Sequence, residues 1–253
     1  MSGHSKWAGI KHKKALVDAK RGQAFTKVAA ELSVAAREGG ADPTGNFRLR
    51  LAIQKAREVN MPADNIERAI QRGAGGKEGE RLEEVRYEGY GPHGVAVMVD
   101  VLTDNRNRTV AAIRNLFTRS GGSLGETNSV AWMFTHQGIL RVAAGSRDPE
   151  EIALELLDLL DVGTDGDVSV DGASVQVSLA PSLFEEARRR LEAARYTVES
   201  AEVTMDPSTS VTLDASEARQ VLRLLDSLEE HDDVQQVYAN AEIPDEVLES
   251  VSS

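Results

Sequence analysis

Gly138–Thr204 reads GILRVAAGSRDPEEIALELLDLLDVGTDGDVSVDGASVQVSLAPSLFEEARRRLEAARYTVESAEVT, and this stretch decides the fold. Its elements run Gly138–Val142, Pro149–Leu160, Asp167–Val170, Ser174–Ser178, Pro181–Ala194 and Tyr196–Thr204. Strand, helix, strand, strand, helix, strand is the ferredoxin-like order. Upstream, Glu84–Tyr90 and Val95–Thr103 read as a hairpin around Gly91-Pro92-His93-Gly94. A helix over Arg106–Arg119 and a strand over Val130–Thr135 follow. Downstream of Asp206-Pro207, the strand Ser210–Leu213, the helix Ala215–Glu230 and the strand Val234–Ala239 lack partners of their own. They complete the sheet begun at residue 84 if residues 137–205 are an insertion within 78–136 plus 206–242. A linear row of domains is the alternative.

Further toward the N-terminus the period changes. Phe25, Val28, Ala29, Leu32 and Ala36 recur at helical spacing and stop at Gly39-Gly40. Leu49, Ala52, Ile53 and Ala56 mark a second helix opened near Asn46; Ile66, Ala69 and Ile70 mark a third between Pro62-Ala63-Asp64 and Gly73. Three short amphipathic helices are stable only when packed together, so residues 22–77 form a helical domain ending in a Gly73–Gly76 linker. Residues 1–21 lack apolar periodicity and read as a basic arm, mobile when unbound, and residues 243–253 as an acidic tail. The class is α+β multidomain: an N-terminal helical bundle followed by two ferredoxin-like α+β domains, one inserted in the other.

Composition narrows the function. With 253 residues, 41% hydrophobic and 28% charged, the chain is globular. Its apolar runs are too short to cross a bilayer, and the basic start lacks the apolar stretch of an export signal. The absence of cysteine excludes disulfides, thiolate nucleophiles and cysteine metal sites, and fits a cytoplasmic location. The net charge of -12 conceals a segregation: residues 1–77 carry 15 Lys and Arg against 7 Asp and Glu, the remainder 14 against 34. Every lysine lies at or before Lys77. A basic end suits a polyanion that the acidic body would repel.

The arm carries Lys6, Trp7, Lys11, His12, Lys13, Lys14, Lys20 and Arg21, and its first 17 residues hold no acid. Phosphate contacts need cations without competing carboxylates, and each neutralised phosphate releases counterions. Trp7 suits stacking on an unpaired base. The competing reading is a terminus kept soluble by charge. Lys27 lies just beyond the arm. Arg48 with Lys55, and Arg50 with Arg57, each lie seven residues apart and nearly aligned on a flank of the second helix, which is either a phosphate-facing stripe or a solvated flank. Arg106 and Arg108 sit in the first turn of a helix that Asp104 or Asn105 can cap. There they oppose the helix dipole, so an anion site or pairing with the acidic body would explain them. Gly121-Gly122-Ser123-Leu124-Gly125 matches the spacing of a serine-hydrolase elbow, but the elbow needs a strand before it and a helix after it, and here the order is reversed. His4, His12, His93, His136 and His231 are scattered, and the acids between Asp161 and Asp171 lack calcium-loop spacing. No catalytic, metal or cofactor site, and no small-molecule substrate, is expected.

Several motifs together resemble one family. They are Gly3-His4-Ser5-Lys6-Trp7, Lys11-His12-Lys13-Lys14, Asp18-Ala19-Lys20-Arg21-Gly22, Phe25-Thr26-Lys27, Ala35–Gly40, Leu49–Ile53, Asn60–Ile70, Tyr87–Pro92, Leu102–Thr109 and Gly121–Phe134. The chain is similar in these to the YebC/PmpR family, with departures at Ala8-Gly9, Phe47 and His93. The resemblance implies a helical N-terminal domain, two α+β domains with one inserted in the other, and regulation through nucleic acid. Members of that family are described as transcriptional regulators binding promoter DNA; relatives, including a mitochondrial translational activator, act at the ribosome. The working expectation is therefore a DNA-binding transcriptional regulator. A ribosome-associated factor binding ribosomal RNA is the second reading, and a scaffold whose basic end holds an acidic protein is the third. No clear helix-turn-helix frame is legible.

Overall fold

The computed structural model describes residues 18–75, 82–161, 163, 166–243 and 247, with side chains from Gly22 onward. Helix α1 spans Asp18–Gly39, α2 Phe47–Glu58 and α3 Ala63–Ala74. Val28, Leu32, Ala35, Ala36, Leu49, Ala52, Ala56, Met61 and Ala69 form their shared core. Asn46 locks the α1–α2 connection: its Oδ1 accepts from Leu49 N at 3.0 Å, and its Nδ2 donates to the carbonyls of Ala35 and Gly40, both at 2.8 Å. A Cβ at Gly73 would lie 2.0 Å from the Ser33 carbonyl oxygen, so only glycine lets α3 approach α1 there. Helix α1 begins at Asp18, inside the stretch expected as the arm through Arg21, and residues 1–17 lie outside the described residues. A first turn that projects beyond the core needs no apolar stripe, so periodicity does not announce it.

Beyond the bundle, strands β1 Glu83–Tyr90 and β2 Ala96–Thr103 form the expected hairpin, and α4 spans Arg106–Arg119. Strand β3 is Ser123–Leu124. At the other end of the chain come β8 Val211–Thr212, α7 Ala215–Glu229, β9 Val234–Ala239 and β10 Ala241–Glu242. The sheet order is β3-β1-β2-β9, antiparallel throughout. Strand β9 thus completes a sheet begun some 150 residues earlier. Val95, Val97, Val99 and Val101 pack with Ile113 and Phe117 of α4 and with Val221, Leu224, Leu225 and Leu228 of α7. Only part of the C-terminal series enters that sheet. The expected strand Ser210–Leu213 is two residues long and pairs in parallel with β10 instead.

The expected strand Val130–Thr135 does not exist as such. Ala131–Met133 is a 3-10 turn, and Phe134 opens β4, which runs to Ala143. Around β4 lie α5 Pro149–Leu160, β5 Asp167–Asp171, β6 Ser174–Leu179, α6 Phe184–Ala193 and β7 Val198–Pro207. The strand order is β5-β6-β4-β7, each neighbour antiparallel. Leu140, Val142, Ile152, Leu156, Val175, Val177, Leu179, Phe184 and Leu191 are buried. Gly138 admits the Phe184 ring, which a Cβ would meet at 2.6 Å. Phe134 faces Pro207 and Thr135 faces Asp206 across β4 and β7, so this stretch begins and ends side by side. Residues 133–209 form one compact unit, and the residues before and after them a second.

Candidate nucleic-acid interface

Lys6, Trp7, Lys11, His12, Lys13 and Lys14 lie outside the described residues, as do the side chains of Lys20 and Arg21, whose backbone belongs to the first turn of α1. Of the remaining candidates, Lys27, Arg50 and Arg108 have partners that sequence spacing does not reveal.

Lys27 Nζ donates to the Glu229 carbonyl at 2.5 Å. One turn earlier, Gln23 Nε2 donates to the Glu230 carbonyl and to Asp232 Oδ1. These groups sit at the C-terminal end of α7, where unpaired carbonyls carry negative partial charge and a cation is favoured by about 0.3–1 kcal/mol. Lys27 therefore fastens the bundle to α7.

The two flanks of α2 differ. Arg48 is held between Glu38 and Glu84, and Lys55 Nζ lies 3.0 Å from Glu31. On the opposite flank, Arg50 donates to the carbonyls of Pro43 at 2.6 Å and Thr44 at 3.0 Å, with its guanidinium 5.7 Å from the Phe47 ring centroid. Arg57 is exposed, and its guanidinium has no hydrogen-bond or ion-pair partner among the described residues. Acids neutralise the first flank, whereas the second offers a fixed Arg50 beside an open Arg57.

Helices α2 and α3 are joined by Val59–Pro62, a connection of helix-turn-helix length with Asn60 in the left-handed region at φ 58°. The N-terminal half of α3 carries Asp64 and Glu67, which suits a groove-entering helix poorly. Its Arg68 folds back onto the Asp64 carbonyl and the Asn65 side chain.

At the head of α4, Asn105 Oδ1 caps the helix by accepting from Arg108 N at 3.1 Å. Arg108 pairs with Asp104 at 2.7 Å and Asp233 at 3.1 Å, and the Thr109 hydroxyl donates to Asp233 at 2.6 Å. Burial pushes the Asp233 carboxyl up, but the hydrogen bonds from Thr109 and Arg108 outweigh it and hold the group below the usual carboxylate range. Arg108 is thus bound to the acidic body, and Arg106, like Arg108 exposed, has no ion-pair partner among the described residues. Ser123 lies on two-residue β3, after a helix rather than a strand. Among the described residues no His, Asp and Glu group can hold a metal ion, and no helix is long and apolar enough to cross a membrane.

Two residues escaped the sequence reading. Glu88 is 3% exposed, and its carboxylate accepts from Asn128 N at 2.8 Å, Val130 N at 2.9 Å and Ala131 N at 2.8 Å. It takes the donors that a strand over Val130–Thr135 would have given to a neighbour. Trp132, the residue after Ala131, is 70% exposed, with its indole N–H on the Ser129 carbonyl. An acid in the middle of an otherwise pairing strand was the available signal for Glu88; Trp132 gave none.

The profile of the TACO1/YebC N-terminal domain matches residues 5–76, and that of the TACO1/YebC second and third domain matches residues 82–241. The chain belongs to the TACO1/YebC family. A Shewanella oneidensis relative is 53% identical over 251 residues, covering 99% of this chain and all of the relative. One from Pelotomaculum thermopropionicum is 52% identical over 245 residues, covering 97% and 100%. Both are named "Probable transcriptional regulatory protein". The crystal structure of a conserved hypothetical protein from Aquifex aeolicus superposes with a TM-score of 0.78 at 47% identity, over 93% of this chain and 96% of that one. The break between the two TACO1/YebC profiles falls at residues 77–81, where the charge of the chain changes sign.

Proposed function

We propose that this chain is a cytoplasmic, non-enzymatic regulator of transcription that binds DNA through its basic N-terminal segment. The observation that carries the reading is charge segregation: 15 cations against 7 acids up to Lys77, 14 against 34 beyond it. Lys6, Lys11, Lys13, Lys14, Lys20 and Arg21 supply the phosphate contacts, with Arg57 and the Arg50 flank of α2 extending the surface. The regulatory names of the relatives support this class. We read residues 137–205 as a ferredoxin-like domain inserted in a second one made of residues 78–136 and 206–242, and the acidic body as an element that orients the basic end on its polyanion. Ribosomal RNA is the second target, favoured by Trp7, whose ring has unpaired bases to stack on in RNA loops but not in a duplex. Crosslinking in cells, followed by sequencing of bound DNA and RNA, separates the two. Promoter enrichment supports DNA, ribosomal RNA enrichment supports the translational reading, and enrichment of neither overturns both.

A further inference from the structure

Within residues 133–209 there are 6 arginines and no lysine against 15 acids. Five of the arginines are paired inside the unit: Arg141 with Asp171, Arg147 with Glu155, Arg188 with Glu192, and Arg189 and Arg190 with Glu186. Glu150, Glu151, Asp158, Asp161 and Asp167 have no cation partner among the described residues. All five lie on α5, at its C-cap or on β5. Asp158 and Asp161 stand at the C-terminal end of α5, where a negative charge is disfavoured by the helix dipole.

The same place exposes apolar surface. Leu154 is 66% and Leu157 42% exposed. On α5 the Glu155 carboxylate reaches the Tyr196 hydroxyl at 2.5 Å and Arg147, which defines the flank toward α6. Leu157 lies two residues on, about 200° around the helix, and therefore on the flank toward β5, with Leu154 one turn before it. Among the described residues strand β5 is the edge of its sheet, so one side of its backbone has no partner strand there. Val170, on the face of β5 that α5 covers, is 37% exposed. An open strand edge, two leucines and a valine beside it, and a rim of unpaired acids together make a surface that takes an extended chain.

We propose that β5 and the Leu154–Leu157 flank of α5 form a docking site for a basic, extended protein segment, which adds to β5 as a further strand. Its apolar side chains, on the face that α5 covers, lie over Leu154, Leu157 and Val170; its lysines or arginines alternate onto the opposite face beside Asp167, and those at its ends reach Glu150 and Asp161 at the two ends of α5. The acids that repel other acidic edges, including those of a second copy, select a cationic partner. This site is separate from the nucleic-acid reading and stands or falls without it.

The probe is a nonapeptide alternating lysine and valine, titrated into the isotope-labelled full chain. The comparisons are a glutamate–valine peptide and the lysine–valine peptide N-methylated at every second amide, which keeps charge but loses ladder donors. Shifts and slowed hydrogen exchange confined to β5 and α5 are expected for the first peptide alone. N-methylation, or the double substitution Leu154→Glu with Leu157→Glu, should weaken binding about tenfold or more. Both leucines are exposed, and an unchanged circular dichroism spectrum checks that the double variant is folded. Equal affinity of the N-methylated peptide overturns strand addition. Wild-type affinity in the double variant, or shifts elsewhere, overturns the site. Shifts in β5 and α5 on adding a single-stranded oligonucleotide would give the surface to nucleic acid instead, and a concentration-dependent dimer seated on β5 would give it to a second copy.

Discussion

Replacing Glu88 by glutamine preserves side-chain volume and removes only charge and one acceptor. In the native protein Oε1 accepts from Asn128 N, and Oε2 accepts from both Val130 N and Ala131 N. The single oxygen of glutamine is best placed on the latter pair, which leaves its NH2 facing the Asn128 N–H, donor against donor. The two retained bonds lose their charge assistance, and one buried donor loses its partner. Bonds to charged groups contribute about 1.5–3 kcal/mol each and neutral ones about 1, so the substitution should cost about 2–4 kcal/mol. For a unit of this size the thermal midpoint should fall by about 5–12 °C. Hydrogen exchange should rise first at residues 125–132, ahead of the strands. Trp132 gives a second readout, because the chain has two tryptophans and a Trp7→Phe background isolates its fluorescence. Its anisotropy should drop in the Glu88→Gln variant. An unchanged midpoint together with unchanged exchange at 128–131 would refute the assignment of Glu88 as the clasp of this loop.

Gly73→Ala should destabilise the bundle by about 1–3 kcal/mol or more, because the Ser33 carbonyl it would strike is backbone and cannot step aside; circular dichroism melting reads this. Lys27→Met should lower the melting midpoint by the equivalent of about 1 kcal/mol and leave the salt dependence of DNA binding alone, whereas Arg57→Glu should leave stability alone and reduce the salt slope by about 0.9. Burial holds the Asp206 carboxyl above its ordinary range, so its ionised form is the penalised one in the fold. That penalty is complete above the folded pKa and vanishes as pH falls through it toward the unfolded value. Asp206→Asn should therefore raise the midpoint at pH 7, with a gain that shrinks in acid; melts across a pH series check the sign.

Much of the fold could be read from local spacing. The Phe25–Ala36 stripe, the Asn46 and Asn105 caps and the Gly91–Gly94 hairpin turn all act within a few residues of where they appear, and the structure moves their boundaries by only a few positions. Interactions from far along the chain were invisible. The apolar run at Val130–Thr135 has the composition of a strand, yet Glu88, more than 40 residues away, claims its N–H groups. The same distance effect separates the candidate cations. Lys27 resembles the lysines of the arm in sequence, but the Glu229 carbonyl, 202 residues on, occupies it. Arg108 meets Asp233 across 125 residues, while Arg57 has no hydrogen-bond or ion-pair partner among the described residues. Spacing gave the cations and their helix flanks; which of them remain available depends on acids and carbonyls brought in by tertiary packing.

The central claim is that the basic arm supplies the binding energy for a polyanion. It is tested most directly by a salt titration of duplex DNA binding, comparing the wild-type chain with the triple variant Lys11→Glu, Lys13→Glu, Lys14→Glu. Removing three phosphate contacts should reduce the slope of log affinity against log salt by up to about 3 and weaken binding to every sequence alike. The melting midpoint should stay where it is, since charged positions outside an apolar pattern usually change stability little. An unchanged slope in the triple variant would contradict the claim and move the site to the Arg50–Arg57 flank or to Arg106.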